Sequence, residues 1–306
     1  MKEPRGKELI DRYKKNYNIS HEVEITEEMI LKHWELEKSL TSELSKSNPE
    51  NRWEVFEKCY NTLYRELWWL NMSINTSNKM LPSQRYKLWV ELIGKPPMKI
   101  YEVGSGKAEL ISYLASCGFE CKATEITKER GKKYALEYSN LSWGISDGIR
   151  LDRFESPGSY DVVISDNVIE HLHPDDIAEH FKNVNSILSS GGRYFIITPH
   201  KHMGPADISK IFNYDTPIGM HLKEYTYQEI KNSLEKAGFK DIYAVFHIPI
   251  KITQLCGIYI KPKIASTYLN YSCAVEKLIS LLPYQSLRRK AMIFFFIPDI
   301  FIVAKK

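Results

Sequence analysis

The 306-residue sequence is poor in cysteine and carries little excess charge of either sign. It has five cysteines, an odd number, and no C-x-x-C pair, which argues against a disulfide framework and against a structural zinc site. Lysine and arginine total 42 against 38 aspartates and glutamates, a net charge of +4. Because the basic residues are also interspersed with acids, we expect no nucleic-acid partner.

Long apolar runs, internal repeats and low-complexity tracts are missing as well. The first ten residues, MKEPRGKELI, lack the apolar stretch of a signal peptide. The most apolar segment, residues 291–304, is shorter than a membrane span and contains Pro298 and Asp299. We expect it to form a buried strand preceded by an apolar turn. These absences favour a cytoplasmic protein, and they leave the oligomeric state undetermined.

Two regions of the chain differ in the spacing of their apolar residues. Residues 1–95 show helical spacing of apolar and aromatic residues and no strand signal. From residue 96 to 306, strand-like and helical runs alternate, with an interruption at residues 251–290. This alternation predicts an α/β fold with a doubly wound, mostly parallel, seven-stranded sheet. We expect an N-terminal helical lid (1–95) and an α/β domain (96–306) with a helical insertion (251–290) before the last strand.

A glycine loop follows the first predicted strand, in YEVGSGKAEL at residues 101–110. In parallel sheets such a loop, here Gly104, Ser105 and Gly106, binds a nucleotide at the carboxyl ends of the strands. A dinucleotide motif needs a third glycine where Glu109 stands, and a carboxylate beside a pyrophosphate is unfavourable. Glu102 is expected in the same crevice. The loop therefore suits a cationic nucleoside such as S-adenosylmethionine better than a dinucleotide.

Further candidate cofactor residues end the successive strands: Glu125, Ile126, Asp147, Gly148, Asp166, Asn167 and His171. Glu125, at the end of the second strand, can accept hydrogen bonds from both ribose hydroxyls. Asp147 follows the third strand and can accept a hydrogen bond from the adenine amino group. Asp166 and Asn167 end the fourth strand, beside the expected methionine moiety. A single strand-end acid is weak evidence, but the ordered set predicts a nucleoside site.

In these motifs the sequence resembles the class I S-adenosylmethionine-dependent methyltransferases. YEVGSGKAEL is similar to their first motif, ATEI to their acidic second-strand end, and YDVVISDNVIEHLHPDD to their fourth-strand motif. The likeness covers about residues 97–250 and the last strand, with Ala108 in place of a frequent third glycine. It implies a Rossmann-like sheet with an antiparallel final strand. Additions to this family's core cover the acceptor pocket, so the motifs do not name the acceptor.

Histidines are concentrated after the fourth and fifth strands: His171, His173, His200, His202 and His221. Methyl transfer needs a base when the acceptor is a hydroxyl that must lose its proton, and histidine suits that role near neutral pH. We expect His200 or His221 to be the base, with Asp207 or Tyr225 orienting it or the acceptor. His171 is equally consistent with a structural role. A metal on His200 and His202, with Asp166 or Asp207, is disfavoured, and no metal is expected.

The expected function is S-adenosylmethionine-dependent O-methylation of a hydroxyl on a small or glycan-like acceptor. Two alternatives remain open: N-methylation of an amine or peptide, and a non-catalytic binding module with this fold. A dinucleotide oxidoreductase is disfavoured by Glu109. The basic and apolar segment 275–296 is expected to cap the acceptor pocket; a peripheral membrane contact is the less favoured interpretation.

Overall fold

The computed structural model describes residues 3–72, 81–128, 132, 135, 138–248 and 261–306. Eight strands lie within these residues: β1 (Lys99–Val103), β2 (Glu120–Glu125), β3 (Leu141–Ile145), β4 (Tyr160–Asp166), β5 (Leu188–Pro199), β6 (Asp241–Phe246), β7 (Lys263–Ala265) and β8 (Asp299–Lys305). The α-helices of the described residues are α1 (Gly6–Asn16), α2 (Glu27–Ser45), α3 (Arg52–Glu66), α4 (Trp68–Met72), α5 (Pro82–Arg85), α6 (Lys87–Ile93), α7 (Glu109–Ser116), α8 (Ile177–Ile187), α9 (Tyr227–Lys236), α10 (Ser266–Ile279) and α11 (Gln285–Phe294).

All eight strands form one sheet in the order β3-β2-β1-β4-β5-β8-β6-β7. The first five of these strands pair in parallel. β8 runs antiparallel to both β5 and β6, between which it is inserted. This topology confirms the predicted α/β class, a mostly parallel sheet with an antiparallel final strand. The short β7, antiparallel to β6 at the sheet edge, adds an eighth strand to the seven predicted.

Alternate side chains of the central strands enter two separate helix layers, as the two-residue period of a strand requires. Val163 and Tyr194 belong to the apolar cluster formed with α8, α9 and α10. Val162 and Phe195 belong to the cluster on the opposite face, formed with α6 and α7. Burial on both faces explains why these strands read as continuous apolar runs.

The N-terminal helices pack on the segment that joins β5 to α9. Apolar side chains of α1 and α2 form one cluster with Ile208, Ile211 and Phe212 of that segment. The rings of Trp34 and Phe212 stack with their centroids 4.6 Å apart. α1 and α2 therefore contact the rest of the fold at the long segment between β5 and α9. The domain boundary at residue 95 stays a prediction, since α6, just before it, packs against the sheet.

Three sequence expectations concern the remaining segments. β8 is the buried strand predicted within residues 291–304, and it follows a turn after α11. The run TKERGKKYALEYS at residues 127–139, whose composition predicts a helix after the second strand, falls largely outside the described residues. Residues 251–260 of the insertion fall wholly outside them. Among the described residues, no helix is long and apolar enough to cross a membrane.

Candidate active site

A cleft of ≈ 1590 Å³ lies at the carboxyl ends of the parallel strands. One wall comes from the loops that follow β1, β2, β3 and β4, and the other from the N-terminal helices. The strand order reverses between β1 and β4, and doubly wound sheets bind ligands at that point. The sequence placed the cofactor residues at this edge, and the structure brings them together there.

The glycine loop after β1 is shaped by two left-handed residues. Gly104 and Gly106 have φ of 63° and 57°, which glycine adopts without steric cost. A Cβ on Gly104 would lie 2.8 Å from Cγ2 of Val168, which follows β4, so the two loops approach each other closely. A Cβ on Gly106 would meet nothing within 4 Å. Ser105 is fixed by its backbone N–H and its hydroxyl, both of which donate to the Thr124 carbonyl.

Glu125 is held in place by the backbone on both sides of it. Its Oε1 accepts from the Gly106 N–H at 2.8 Å, and its Oε2 accepts from the Ile126 N–H at 3.0 Å. The carboxylate is buried yet lines the cleft. The glycine loop and the end of β2 are therefore joined through this one side chain.

Glu102 lies beneath the same loop and is almost fully buried. Burial, with the nearby charges of Asp166 and Glu125, raises the pKa of Glu102 well above its usual range. Its Oε2 has no hydrogen-bond partner among the described residues. Burial also raises the pKa of Asp166 to about 6, although Arg85 opposes this shift. A positively charged ligand would relieve the crowding of these acids.

Asp147 and Asn167 line the cleft but have local structural partners. Asp147 accepts hydrogen bonds from the backbone N–H groups of Ile149 and Arg150 and pairs with the Arg150 guanidinium at 2.7 Å. Gly148 follows with a φ of 72°. Asn167 adopts the left-handed conformation and donates to Asp166 Oδ1 at 2.8 Å. The adenine and methionine contacts assigned to these residues stay predictions.

Glu109 does not have the role that the sequence suggested. Its carboxylate pairs with Arg85 at 2.8 Å and accepts from the Tyr86 hydroxyl at 3.1 Å. Because its charge is balanced by Arg85, Glu109 alone does not exclude a pyrophosphate. The argument against a dinucleotide depends instead on Glu102, which is buried and has no such counter-charge among the described residues.

The far end of the cleft is built from elements distant in sequence. α2 and α3 contribute Glu37, Phe56, Tyr60, Leu63 and Tyr64, and the loops contribute Tyr17, Met220 and His171. Glu37 Oε2 accepts from the Met220 N–H at 3.1 Å, and the Thr41 hydroxyl of α2 donates to the Gly219 carbonyl. The N-terminal helices therefore hold the segment 219–220 against the cleft.

Three polar side chains converge beside this end: Glu170, His171 and His221. One potential ligand atom of each lies within 4.8 Å of those of the other two. The two loops that carry them are joined, because the Glu170 carbonyl accepts from the Leu222 N–H at 2.8 Å. His171 itself donates from Nδ1 to the Met220 carbonyl at 2.9 Å. The histidine of the fourth-strand motif is therefore packed against the segment that joins β5 to α9.

The electrostatics of the cluster reflect its burial among acids. Burial raises the pKa of Glu170 to about 7, although the charge of His221 lowers it. For His221, burial lowers the pKa, but its hydrogen bond to Glu224 and the charges of Glu170 and Asp207 raise it by more. Its pKa therefore lies above the ordinary histidine value. Positive charge is favoured at this position in the fold.

The other expected catalytic residues lie elsewhere. His200 is fully buried and absent from the cleft wall; its Nδ1 accepts from the His202 N–H, and its Nε2 donates to Glu276. Glu276 also accepts from two N–H groups at the start of α9. Because both ring nitrogens of His200 already form hydrogen bonds inside the protein, His200 is not placed to act as a base. A metal set on His200 and His202 does not form among the described residues.

Asp207 and Tyr225 support the loop rather than the cleft wall. Asp207 accepts from the Ser209 N–H at 3.0 Å and from the Gly219 N–H at 2.8 Å, which shapes the turn before segment 219–220. Tyr225 is buried, and its backbone pairs with that of His200. Neither residue orients His200 through a hydrogen bond found among the described residues. Of the four expected catalytic residues, His221 alone joins the cluster beside the cleft.

Sequence reasoning missed Glu170, Glu37 and the tyrosines of α3. Glu170 directly precedes His171 in the quoted motif, and that adjacency was the available signal. Glu37 and Tyr60 come from helices whose apolar spacing indicated only packing, since no local pattern shows that α2 and α3 reach the cleft.

The residues at the near end fit S-adenosylmethionine. The unpartnered Oε2 of buried Glu102 suits the ammonium group, and the backbone-held carboxylate of Glu125 suits a pair of ribose hydroxyls. An unpaired buried carboxylate is costly without a cationic partner. These two carboxylates therefore match a cationic nucleoside.

Comparison with known proteins agrees with this fold. The profile of the family described as "Methyltransferase domain" matches residues 81–244, more than half of the chain. A search of curated proteins found no significant match. The solved structures that resemble this one include an S-adenosylmethionine-dependent methyltransferase from Archaeoglobus fulgidus, at 21% identity and a TM-score of 0.49, covering 74% of this chain and 93% of that one.

Another similar structure is the 1,6-didemethyltoxoflavin-N1-methyltransferase of Burkholderia thailandensis, at 15% identity and a TM-score of 0.49, covering 85% of this chain and 91% of that one. The family match, the sheet topology and the site together lead to one conclusion. The chain belongs to the methyltransferase domain family and is a class I S-adenosylmethionine-dependent methyltransferase.

Proposed function

We propose that this enzyme methylates a hydroxyl oxygen on a small or glycan-like acceptor bound at the far end of the cleft. The observation that carries the proposal is the position of the Glu170, His171 and His221 cluster. His171 lines the same cleft as Glu102 and Glu125, so polar groups that can handle a proton lie beside the cofactor residues. A hydroxyl acceptor is the class that needs such groups, because it must lose its proton to react.

In this proposal the near end of the cleft binds the cofactor. Glu125 receives the ribose hydroxyls and Glu102 the ammonium group, with Asp166 and Asn167 beside the methionine moiety and Asp147 near the adenine. Bound S-adenosylmethionine supplies an electrophilic methyl group on a sulfonium. The glycine loop and Glu125 fix the orientation, and in-line displacement depends mainly on such positioning.

The far end positions the acceptor and assists the loss of its hydroxyl proton. The cluster binds the hydroxyl oxygen; the O–H bond breaks, and the proton passes through the cluster to solvent water in the cleft. A new O–C bond forms as the methyl–sulfur bond breaks, and the positive charge on sulfur is neutralised. The tyrosines of α3 and Met220 form an amphipathic wall for a small polar acceptor. The N-terminal helices act as the wall and lid of this acceptor site.

The test begins with calorimetric titration of S-adenosylhomocysteine, with NADH in parallel, and continues with a panel of hydroxylated metabolites and glycans. With a methylated acceptor in hand, we expect His171→Ala to lower kcat by about 10²-fold and to leave S-adenosylhomocysteine affinity within about twofold. His173→Ala is the control, since His173 caps the short helix Pro174–Asp176 outside the cluster. Full turnover by His171→Ala would remove the cluster from the mechanism.

N-methylation is the second candidate, because one feature of the far end favours a cationic acceptor. Tyrosine rings of α3 and the carboxylate of Glu37 line it together, and such surroundings attract amines. An amine acceptor needs less assistance with its proton. Turnover of amines but not of hydroxylated acceptors, with little effect of His171→Ala, would establish this candidate in place of the first.

A further inference from the structure

The cluster beside the far end of the cleft has the composition of a metal site. It contains two imidazoles and one carboxylate, Glu170, His171 and His221, from two loops that the fold brings together. Two histidines and one carboxylate, with remaining positions open, are a recurrent ligand set for divalent transition metals. We propose that these three side chains bind one divalent cation of the Mn²⁺, Co²⁺ and Zn²⁺ class.

Each of the three side chains is oriented by a hydrogen bond made through the polar atom that would not bind the metal. His171 Nδ1 donates to the Met220 carbonyl at 2.9 Å, and His221 Nδ1 donates to Glu224 at 3.0 Å. In their neutral form, which metal binding requires, both rings therefore carry their lone pair on Nε2. Outer contacts of this kind fix the tautomer and orientation of metal-binding histidines.

Glu170 has the complementary arrangement. Its Oε2 accepts from the Thr198 hydroxyl at 2.9 Å, while its Oε1 is buried with no hydrogen-bond partner among the described residues. A fully buried carboxylate oxygen without a partner is costly, and a cation would remove that cost. Asp207 and Glu224 add negative charge around the site.

The separation of the ligand atoms is compatible with one ion. Ligands at roughly 2.1 Å from a metal lie at most about 4.2 Å apart, and the three atoms here lie within 4.8 Å of one another. Side-chain rotations that bring these atoms about 1 Å closer together would complete the coordination. The protein contributes three ligands, so positions remain for solvent or an acceptor oxygen.

A cation here would give the cluster a specific role, and this role rests on the proposed function. It would bind the acceptor hydroxyl, lower its pKa and so promote release of the proton to water in the cleft. Binding of the metal itself does not depend on the acceptor. The metal site and the O-methylation proposal can therefore fail separately.

The experiment is titration of the metal-stripped full-length protein with Mn²⁺ by calorimetry and electron paramagnetic resonance, and with Co²⁺ by visible absorption, without acceptor. We expect one ion per chain. Glu170→Gln, His171→Ala and His221→Ala should each weaken binding at least tenfold, and His173→Ala should leave it unchanged. Retained S-adenosylhomocysteine affinity shows that each variant is folded.

Absence of Mn²⁺ and Co²⁺ binding in the wild-type protein would overturn the proposal without reference to any variant. Equal binding by the wild-type protein and all three variants would place the ion elsewhere and overturn it as well. If metal binds as expected but no hydroxylated acceptor is turned over, the site stands and the proposed function fails.

A second and independent observation concerns the hairpin of α10 and α11. Contrary to the preferred sequence interpretation, no described residue of this hairpin lines the cleft. Its large apolar side chains are instead exposed: Leu278, Leu281, Tyr284, Leu287, Ile293, Phe294 and Phe296. Leu281 and Phe294 are 79% and 74% exposed. A concentration of this kind marks an interaction surface.

The charge of the hairpin indicates what it contacts. Between residues 261 and 298 the sole acidic residue is Glu276, which is buried, while Lys277 and Lys290 are exposed. Apolar side chains bordered by basic ones complement an anionic lipid surface. We infer that this hairpin binds peripherally to membranes that contain anionic lipid.

Co-sedimentation with phosphatidylcholine vesicles, with and without phosphatidylglycerol, tests this inference. We expect binding to the anionic vesicles alone, reduced at least tenfold by the double variant F294S/F296S and unchanged by Phe154→Ser, which alters an exposed ring elsewhere. Failure of the wild-type protein to bind anionic vesicles would overturn the inference of membrane binding. So would concentration-dependent self-association that the double variant abolishes, because the surface would then join two copies of the chain.

Discussion

The two ends of the cleft are built in different ways. The proposed cofactor end, formed by Glu102, Gly104–Gly106, Glu125 and Asp166, comes from the ends of neighbouring strands. Its hydrogen bonds join residues close in sequence: Gly106 and Glu125 are 19 residues apart. The proposed acceptor end, formed by α2, α3, segment 219–221 and Glu170–His171, is held together by contacts between residues much farther apart in sequence. Glu37 and Met220, which bond to each other, are 183 residues apart.

This difference has a physical consequence for how each end tolerates change. The cofactor end is fixed by the sheet, whose ladders place every strand end relative to its neighbours. The acceptor end is fixed by a few hydrogen bonds and by packing between α2 and the long loop. We therefore expect changes at one end to leave the other end nearly unaffected.

The largest effect should come from Glu125→Ala at the cofactor end. The change removes an acceptor for the ribose hydroxyls and also leaves the amides of Gly106 and Ile126 without their partner. Hydrogen bonds to a charged group contribute about 1.5–3 kcal/mol each, so we expect a loss of about 100-fold in S-adenosylhomocysteine affinity, measured by calorimetry. Glu120→Ala, at the exposed start of the same strand, is the control and should change affinity less than twofold.

The strand-end rule explains why the cofactor end could be predicted from the sequence. Once alternating strands and helices were recognised, Glu102, Glu125 and Asp166 had to lie at one edge of the sheet. No such rule applies to His200, whose partner Glu276 is 76 residues away in an insertion without a readable motif. The sequence could place His171 after β4, but its bond to Met220 depends on how the long loop folds back.

Gly219→Ala should break the acceptor end selectively. A Cβ there would lie 2.5 Å from Glu37 Oε2 and 2.7 Å from Asp207 Oδ2, the groups that hold segment 219–220. Overpacking of this kind costs about 1–3 kcal/mol, so we expect at least a tenfold loss in kcat/KM for the acceptor and a lower Tm. S-adenosylhomocysteine affinity should stay within about twofold.

Gly144→Ala in β3 is the matched control, because a Cβ there would be 3.4 Å from its nearest neighbour, the flexible Lys122 side chain. It should leave acceptor kinetics unchanged. A large drop in cofactor affinity for Gly219→Ala would show that the two ends are coupled, contrary to the comparison above.

The smallest effect, and the one that separates binding from stability most directly, is expected for Glu102→Gln. Burial and neighbouring acids raise the pKa of Glu102 in the folded protein, so its stability contribution is complete below the unfolded-state pKa and is lost as pH rises through the folded-state pKa. The glutamine variant lacks this loss. At pH 8 the apo variant should therefore melt about 2–4 °C above the wild type, equivalent to about 1 kcal/mol, with a smaller difference at pH 5.

The affinity of the Glu102→Gln variant for S-adenosylhomocysteine should nevertheless fall about fivefold, because the amide cannot balance the ammonium charge. If the variant were destabilised at pH 8, Glu102 would be ionised and paired in the apo protein, and its assignment to the cofactor ammonium would lose its electrostatic basis.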